Sequence, residues 1–448
     1  MARDSQPPPA PHDAASAEAE ISALLKAANG LAHYSPCGGY VAAAHGNHVT
    51  LRETRTLQIV QRYTTVDVIQ AIAWSDDSQV VATAMYKRAV VQIWSVKDSS
   101  FTCKISEGLA GMVYGKWAPD SRHFITVSDF QLHATVWSLV DGTKYVIRSP
   151  KLGADGFAFN PAGDFLAVAE RHDCKDFIGV YDCTSWELVT HFALESYDCV
   201  EILWSPDNAT IAVRDSHLEF RVLLYAVDGT LLAKYQAYEH ALGVKSMIWS
   251  ASGHFLVLGS FDEHVRVLSH LNWQPIAEFD HETIAVTLTR VNKSAIEYEE
   301  HFAGTQITQR PQGKRIPIGP PTSSREICFV VREPPFSVLT ITSDPLKENP
   351  KMGIGRVLWS ADATFLASKS DQMPHNVWIW RMETMTLHSV VSLMQPVRSL
   401  RWDPVNCRLA ICSGENRVHL WSPDGVSWVD IPTPLKRSVY DGVPTALR

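Results

Sequence analysis

Asp173-Cys174-Lys175-Asp176 is the stretch whose residue types come closest to a reactive centre, a thiol among carboxylates. Nucleophilic chemistry needs the thiolate, and neighbouring carboxylates hold a thiol protonated, so the segment reads as a polar turn. His172, His217, His264 and His375 fall in equivalent turns of a recurring unit and would form a ring of imidazoles. Turns set at different places around a rim do not bring their ligands to one ion, so no metal and no other cofactor is expected. Asp129, Asp215, Asp262 and Asp371 in the same turns read as caps of their own backbone. Residues 111–116 have the wrong spacing for a phosphate loop, and Met352-Gly353-Ile354-Gly355 lacks the third glycine and the helix of a dinucleotide site. The sequence has neither a nucleophile elbow nor a zinc-protease helix, and none of its eight cysteines forms a Cys-x-x-Cys pair. It therefore predicts no enzyme, and most of the cysteines read as small core thiols.

What must position any functional residue is a repeat. An aromatic residue followed by a turn recurs at Tyr34, Trp74, Trp117, Phe159, Trp204, Trp249, Trp359 and Trp402, in steps of 40, 43, 42, 45, 45, 110 and 43 residues. All but one match the roughly 40–45 residues of a four-stranded propeller blade. After the turn comes a short apolar strand, such as Val80-Val81-Ala82-Thr83-Ala84. A polar turn follows, then an alternating strand closed by an aromatic, as in Val91-Gln92-Ile93-Trp94 and Val418-His419-Leu420-Trp421. Period-two alternation broken by turn residues predicts antiparallel strands. The predicted fold class is all-β: a WD40-type β-propeller, one ring of about seven to nine four-stranded blades with a Pro-rich insertion. Trp-Ser stands where Trp-Asp is usual, and the Gly-His before the first strand is missing, so the hydrogen-bond network those residues build is expected to be incomplete.

The expected organisation is a disordered tail over 1–20, blades one to six over 21–280, a Pro-rich insertion or degenerate blade over 281–350, and the remaining blades with a closing strand over 351–448. Residues 311–350 hold eight of the 25 prolines, which disfavours laddered strands. Two strand-like runs, 284–288 and 327–331, would complete the outer edge of the sixth unit or form a poor seventh. Over 16–28 local propensity favours a helix, whereas ring closure favours a strand. Residues 443–448 parallel 396–401, so the expectation is either a further unit lost to truncation or a last strand that closes the ring.

Forty Lys and Arg against 48 Asp and Glu leave a net charge of −8, with both signs mixed along the chain. Broad attachment to nucleic acid or an anionic membrane needs a concentrated basic surface, so neither partner is expected. No apolar run reaches the roughly 18 residues that span a bilayer, and the proline-rich start lacks the pattern of a signal peptide. A soluble cytoplasmic protein is the expectation.

In an up-down blade, the turn between strands two and three and the connection from strand four into the next blade emerge on one face. Tyr86-Lys87-Arg88, 171–176, 215–219 and 371–376 link strands two and three, while 238–243 and 348–351 lead into first strands. They predict one rim of mixed charge with exposed tyrosine, a pattern that favours a protein partner. The candidate partner-binding residues are Tyr86, Lys87, Arg88, Arg171, Asp173, Lys175, Asp176, Tyr238, Glu239, Asn349 and Lys351.

Several segments also resemble the spindle-pole and centrosomal WD-repeat proteins called WD repeat-containing protein 8. They are Ala84-Met85-Tyr86-Lys87-Arg88, Ala169-Glu170-Arg171-His172-Asp173-Cys174-Lys175-Asp176-Phe177, Ala237-Tyr238-Glu239 continuing to Leu242-Gly243-Val244-Lys245-Ser246, Asn349-Pro350-Lys351 and Arg408-Leu409-Ala410-Ile411-Cys412. The insertion and the N-terminal tail carry no resemblance. The resemblance implies a non-enzymatic adaptor of the cytoplasm and cytoskeleton, at the centrosome, microtubule-organising centre or spindle pole. Its implied partners are a coiled-coil microtubule-anchoring protein and, in fungi, a minus-end-directed kinesin, with which it would tether microtubule minus ends, organise the spindle and support ciliary assembly. From the residues alone, an RNA- or ribosome-associated propeller of the translation-factor type stays open, with Arg310, Lys314 and Arg315 as a small basic handle that the acidic balance opposes.

Overall fold

The computed structural model describes residues 25, 27–28, 30–281, 295–302, 327–334, 336–342, 344 and 350–431. Two compact units divide the chain, Ala23–Glu278 and Phe279–Leu447, the second together with Met1–Ser22. Among the described residues every regular element is a strand or a short 3-10 turn, and the strands form seven four-stranded sheets and one of six. The sheets cover residues 32–64, 71–106, 114–148, 157–193, 201–235, 244–280, 296–392 and 399–430, numbered one to eight below. Eight lies within the expected seven to nine. No helix among the described residues is long and apolar enough to cross a membrane.

The recurring aromatic has a physical task. Trp74 Nε1 donates to His33 O at 3.0 Å and Trp117 Nε1 to Ala73 O at 3.1 Å, tying each first strand to the one before it. In the second unit Trp402 does the same to Leu358 O at 3.1 Å. Trp204, Trp249 and Trp359 lack that bond. The following turn is closed by a serine in several sheets: Ser75 Oγ donates to Val80 O and accepts from Val80 N–H, and Ser360 accepts from Phe365 N–H. The residue four places after the aromatic has positive φ, at Ser78, Ser121, Asn208 and Ala363 and at glycines 38, 163 and 253. That conformation costs a non-glycine residue roughly 1 kcal/mol, and the serine bonds and neighbouring turns offset it. Cys37 N–H, for example, donates to Ser78 Oγ at 3.0 Å, and Asp77 N–H to Ser121 Oγ at 3.0 Å.

The core is a series of layers between neighbouring sheets. Between sheets four and five, Ala167, Ile178 and Val180 pack on Ile202, Ile211 and Leu223, all with almost no exposed surface. Each buried aliphatic side chain contributes about 1.5–3 kcal/mol, so the layers carry most of the stability. The network expected to be incomplete is rebuilt with substitutes. Glu107 bonds Thr126 and Trp137 Nε1 in sheet three, while His281 Nε2 lies 2.7 Å from Ser368 Oγ, which accepts from Trp380 Nε1 at 2.8 Å. Glu107 and His281 each follow a fourth strand, the place where the missing Gly-His would stand.

The insertion departs from both expectations. Ile327–Arg332 pairs with Ile296–Phe302 as an antiparallel hairpin, and Ile296–Phe302 runs parallel to Thr386–Ser392. The hairpin thus widens the outer edge of sheet seven; it neither completes the sixth sheet nor makes a blade of its own. Residues 284–288, 1–20, nearly all of 16–28, and 443–448 lie outside the described residues, as do Arg310, Lys314 and Arg315.

Candidate protein-interaction surface

Within the first unit, turns between strands two and three are bonded to the connections between sheets, which places both on one edge. Arg88 Nε meets Asp67 Oδ2 at 2.8 Å, and Lys87 N–H donates to Gln70 Oε1 at 2.9 Å. Val113 N–H donates to Val127 O, Lys151 N–H to Ala169 O, and Gly243 N–H to His217 O. A Cβ at Gly243 would lie 2.1 Å from Glu219 O, so only glycine lets the connection pass so close to the turn.

The candidate residues separate into exposed and structural groups. Lys87, Arg88, Arg171, Asp173, Lys175 and Glu239 are exposed, as is Lys351 in the second unit. Asp173 and Cys174 both have positive φ and link the paired residues His172 and Lys175, the geometry of a two-residue type I′ hairpin. Asn349 lies outside the described residues. Asp176, expected to face a partner, is buried with its side chain 1% exposed. Its Oδ2 accepts from Lys151 Nζ at 2.6 Å, Cys199 N–H at 2.7 Å and Ser196 Oγ at 3.3 Å. Pairing alternation explains this: Asp176 shares a face with Ile178 and Val180, which fill the layer toward sheet five. Tyr238 is half-buried too. Its hydroxyl donates to Leu242 O at 2.5 Å, its ring lies edge-on to Phe220, and burial raises its phenol pKa. Tyr86 packs beside Ala84, Val91 and Met112, and burial raises its phenol pKa as well. These three residues hold the rim in place.

Lys151, unnoticed in the sequence, is the hub of the charged part. Its side chain is 7% exposed and also reaches Asp198 Oδ1 at 2.7 Å, to which Arg171 Nη1 donates at 2.9 Å. Burial disfavours ionisation of Asp198, but its bonds to Lys151 and Arg171 outweigh that and hold the carboxyl below its ordinary range. Asp215 takes the backbone N–H of Ser216, as expected of a turn cap, and also those of Tyr197 and Asp198, so it binds the next connection as well. Tyr197 remains exposed, with the Arg221 guanidinium 4.0 Å from its ring centroid. His172, His217, His264 and His375 each belong to a different sheet and contact local groups, as His264 does with Asp262 and His375 with Leu393 O.

The larger omission is apolar. Val66 and Val68 enter sheet two, fully exposed Leu109 and half-exposed Val113 enter sheet three, and Phe130 and Leu132 form its turn between strands two and three. Phe130 is 91% exposed and has φ +56, followed by Gln131 at +53. Backbone bonds connect these segments: Glu107 N–H to Ala89 O, Val113 N–H to Val127 O, and Ser149 N–H to Leu132 O. All six apolar side chains are therefore carried by turns and connections of one edge, the edge that also carries Lys87 and Arg88. Tyr34, Val140 and Leu271 are also exposed, but they lie at turns between strands one and two or three and four, each in a different sheet. An aliphatic or aromatic residue inside a turn, as in Gly108-Leu109 and Asp129-Phe130, is the sequence signal that would have revealed the patch.

The family described as WD domain, G-beta repeat matches residues 229–269. The chain is similar to the mouse (Mus musculus) WD repeat-containing protein WRAP73, 40% identical over 413 residues, covering 92% of this chain and 88% of that protein. It is also similar to an uncharacterized WD repeat-containing protein of Schizosaccharomyces pombe, 21% identical over 401 residues, covering 86% of this chain and 77% of the other. Among solved structures, the C-terminal WD40 domain of Sif2 superposes with a TM-score of 0.51 at 13% identity, covering 89% of this chain and 95% of that domain. The fold is thus the all-β, WD40-type propeller architecture that the repeat predicts.

Proposed function

The chain belongs to the WRAP73 family of WD-repeat proteins, and on that premise we propose that it is a non-enzymatic adaptor that docks an elongated coiled-coil partner on the apolar and basic edge of its first unit. WD-repeat proteins of this architecture serve as protein-interaction scaffolds. The observation that carries the reading is the exposure of Val66, Val68, Leu109, Val113, Phe130 and Leu132 in turns and connections of the edge that also carries Lys87 and Arg88. An apolar centre with a charged surround is how a protein partner is held, and a coiled coil supplies apolar residues flanked by acidic ones.

The resemblance to WD repeat-containing protein 8 supplies the cellular setting: the centrosome, microtubule-organising centre or spindle pole, with a microtubule-anchoring partner and a minus-end-directed kinesin in fungi. There the adaptor tethers microtubule minus ends, organises the spindle and supports ciliary assembly. The basic residues on which the RNA-binding reading rests, Arg310, Lys314 and Arg315, lie outside the described residues. The test is affinity purification of the tagged full chain and of Leu109→Ser/Phe130→Ser/Leu132→Ser, alongside imaging. The wild type concentrates at microtubule-organising centres and brings down a coiled-coil protein; the triple variant loses at least tenfold of that protein while its Tm is unchanged. Diffuse localisation, or retention of the coiled-coil protein by the triple variant, refutes the proposal.

A further inference from the structure

We propose that Glu170, His172 and His191 form a divalent-metal site of the zinc class on sheet four. His172 Nε2 and His191 Nε2 each lie 3.2 Å from Glu170 Oε2, and the three ligand atoms all fall within 4.8 Å of one another. Ligands bound at zinc distances of about 2.0–2.2 Å stand roughly 3.3 Å apart at the corners of a tetrahedron, which matches both nitrogen-to-oxygen separations. Two imidazoles and a carboxylate suit a borderline cation and leave a fourth position for water.

The fold prepares this arrangement. Glu170 and His172 sit two residues apart on one face of the strand Phe165–His172, and His191 comes from Leu188–Ala193, two strands away. Between them stands Gly179, whose register partners are Val168 and His191. A Cβ there would lie 2.5 Å from Glu170 Oε1, so the missing side chain is the space through which the carboxylate reaches His191. Tyr181 donates its hydroxyl to Glu170 Oε1 at 2.6 Å, leaving Oε2 to face the two histidines. Phe177 stacks on the His191 ring at 5.0 Å and 5°, fixing its plane. Glu170 is 5% exposed while His172 and His191 are 40% and 35% exposed, so the carboxylate is anchored and the open side faces solvent. Bound metal would tie the outermost strand of the sheet to its second strand.

The test uses the full chain and Zn2+ alone, titrated in competition with a chromophoric chelator under reducing conditions, with Tm recorded at each step. One equivalent binds and raises Tm. His191→Ala and His172→Ala each weaken binding at least tenfold, with metal-free Tm close to that of the wild type because both side chains are partly exposed. Tyr181→Phe keeps the ligands and weakens binding by about tenfold, the effect of losing an orienting bond. His254→Ala, which removes a separate pair of histidine rings 4.9 Å apart, leaves the equivalent intact. Co2+ in place of zinc gives tetrahedral visible bands without thiolate charge transfer. The assignment is overturned if no equivalent binds, if His191→Ala and His172→Ala bind as the wild type does, if only His254→Ala loses the metal, or if the cobalt spectrum reports sulfur ligands.

Discussion

Replacing Asp176 by Ala separates its structural role from the contact role that its place in a polar loop suggests. The change removes the carboxylate that accepts from Lys151 Nζ, Cys199 N–H and Ser196 Oγ. Breaking a buried pair costs about 3–5 kcal/mol because it leaves a charge without its partner. Lys151 keeps Asp198 at 2.7 Å, but that side chain is 48% exposed and screened, so the ion-pair part falls near the lower end. The orphaned Cys199 N–H is buried and adds about 1 kcal/mol or more, giving a total near 4 kcal/mol. For a folding unit of this size each kcal/mol moves Tm by about 2–4 °C, so the transition of the unit Ala23–Glu278 falls by about 8–16 °C in calorimetry. Arg171→Ala removes a partner 41% exposed and 3.6 Å from Asp176, and costs less than about 1 kcal/mol. Lys151→Met/Asp176→Leu removes both charges together and loses less stability than Asp176→Ala. The reasoning fails if Asp176→Ala costs no more than Arg171→Ala, or if it abolishes partner binding with Tm unchanged.

Gly243→Ala forces a Cβ to within 2.1 Å of Glu219 O and 2.6 Å of Phe220 Cα, both backbone atoms that cannot swing away. A urea-midpoint shift equivalent to at least about 3 kcal/mol is expected, and a shift below about 1 would show that the connection moves freely. His419 is fully buried, neither ring nitrogen is hydrogen-bonded, and burial lowers its pKa from 6.5 to about 4. The unfolded state therefore takes up the proton first: the stabilisation is complete above pH 6.5 and is lost as pH falls through 4, about 3 kcal/mol in all. Glu300, whose Oε1 lies 3.7 Å from His419 Nε2, has its carboxyl pKa raised by burial and opposes the loss when it protonates. Denaturation midpoints measured from pH 7 to 4.5 should fall less steeply in His419→Leu than in the wild type, and equal slopes would refute the assignment.

The repeat was legible because the residue that repeats, or the turn that follows it, performs a geometric task in most of the sheets. Trp74, Trp117 and Trp402 tie first strands together, and the position four residues later carries positive φ whether Ser, Asn, Ala or Gly occupies it. The strand Ile296–Phe302 was not legible, because Ile-Glu-Tyr-Glu-Glu-His-Phe reads as exposed. Its three glutamates are buried, and no single-sequence rule foresees their partners: Ser392 for Glu297, Arg332 for Glu299, and Met394 N–H for Glu300. Asp176 and Tyr238 misled for the converse reason, since a loop address says nothing about which way a polar side chain turns.

Polarity alone also hid the apolar edge, because a hydrophobic residue in a turn is ordinarily assigned to the core. Phe130 and Gln131 hold left-handed backbone conformations that disfavour side-chain-bearing residues by about 1–2 kcal/mol each. Ser128 opposes that strain on the near side, accepting from Gln131 N–H through its carbonyl and from His133 N–H through its hydroxyl. Leu132 O takes Ser149 N–H on the far side. The exposed ring is therefore displayed by a turn whose ends are fixed, and the neighbouring connection is fixed in the same way by Lys151, Asp198 and Asp215. Binding to such an edge would freeze few additional backbone torsions, so the apolar area it buries goes largely into affinity. A collapsible loop bearing the same residues would bury them against its own sheet and offer a partner little.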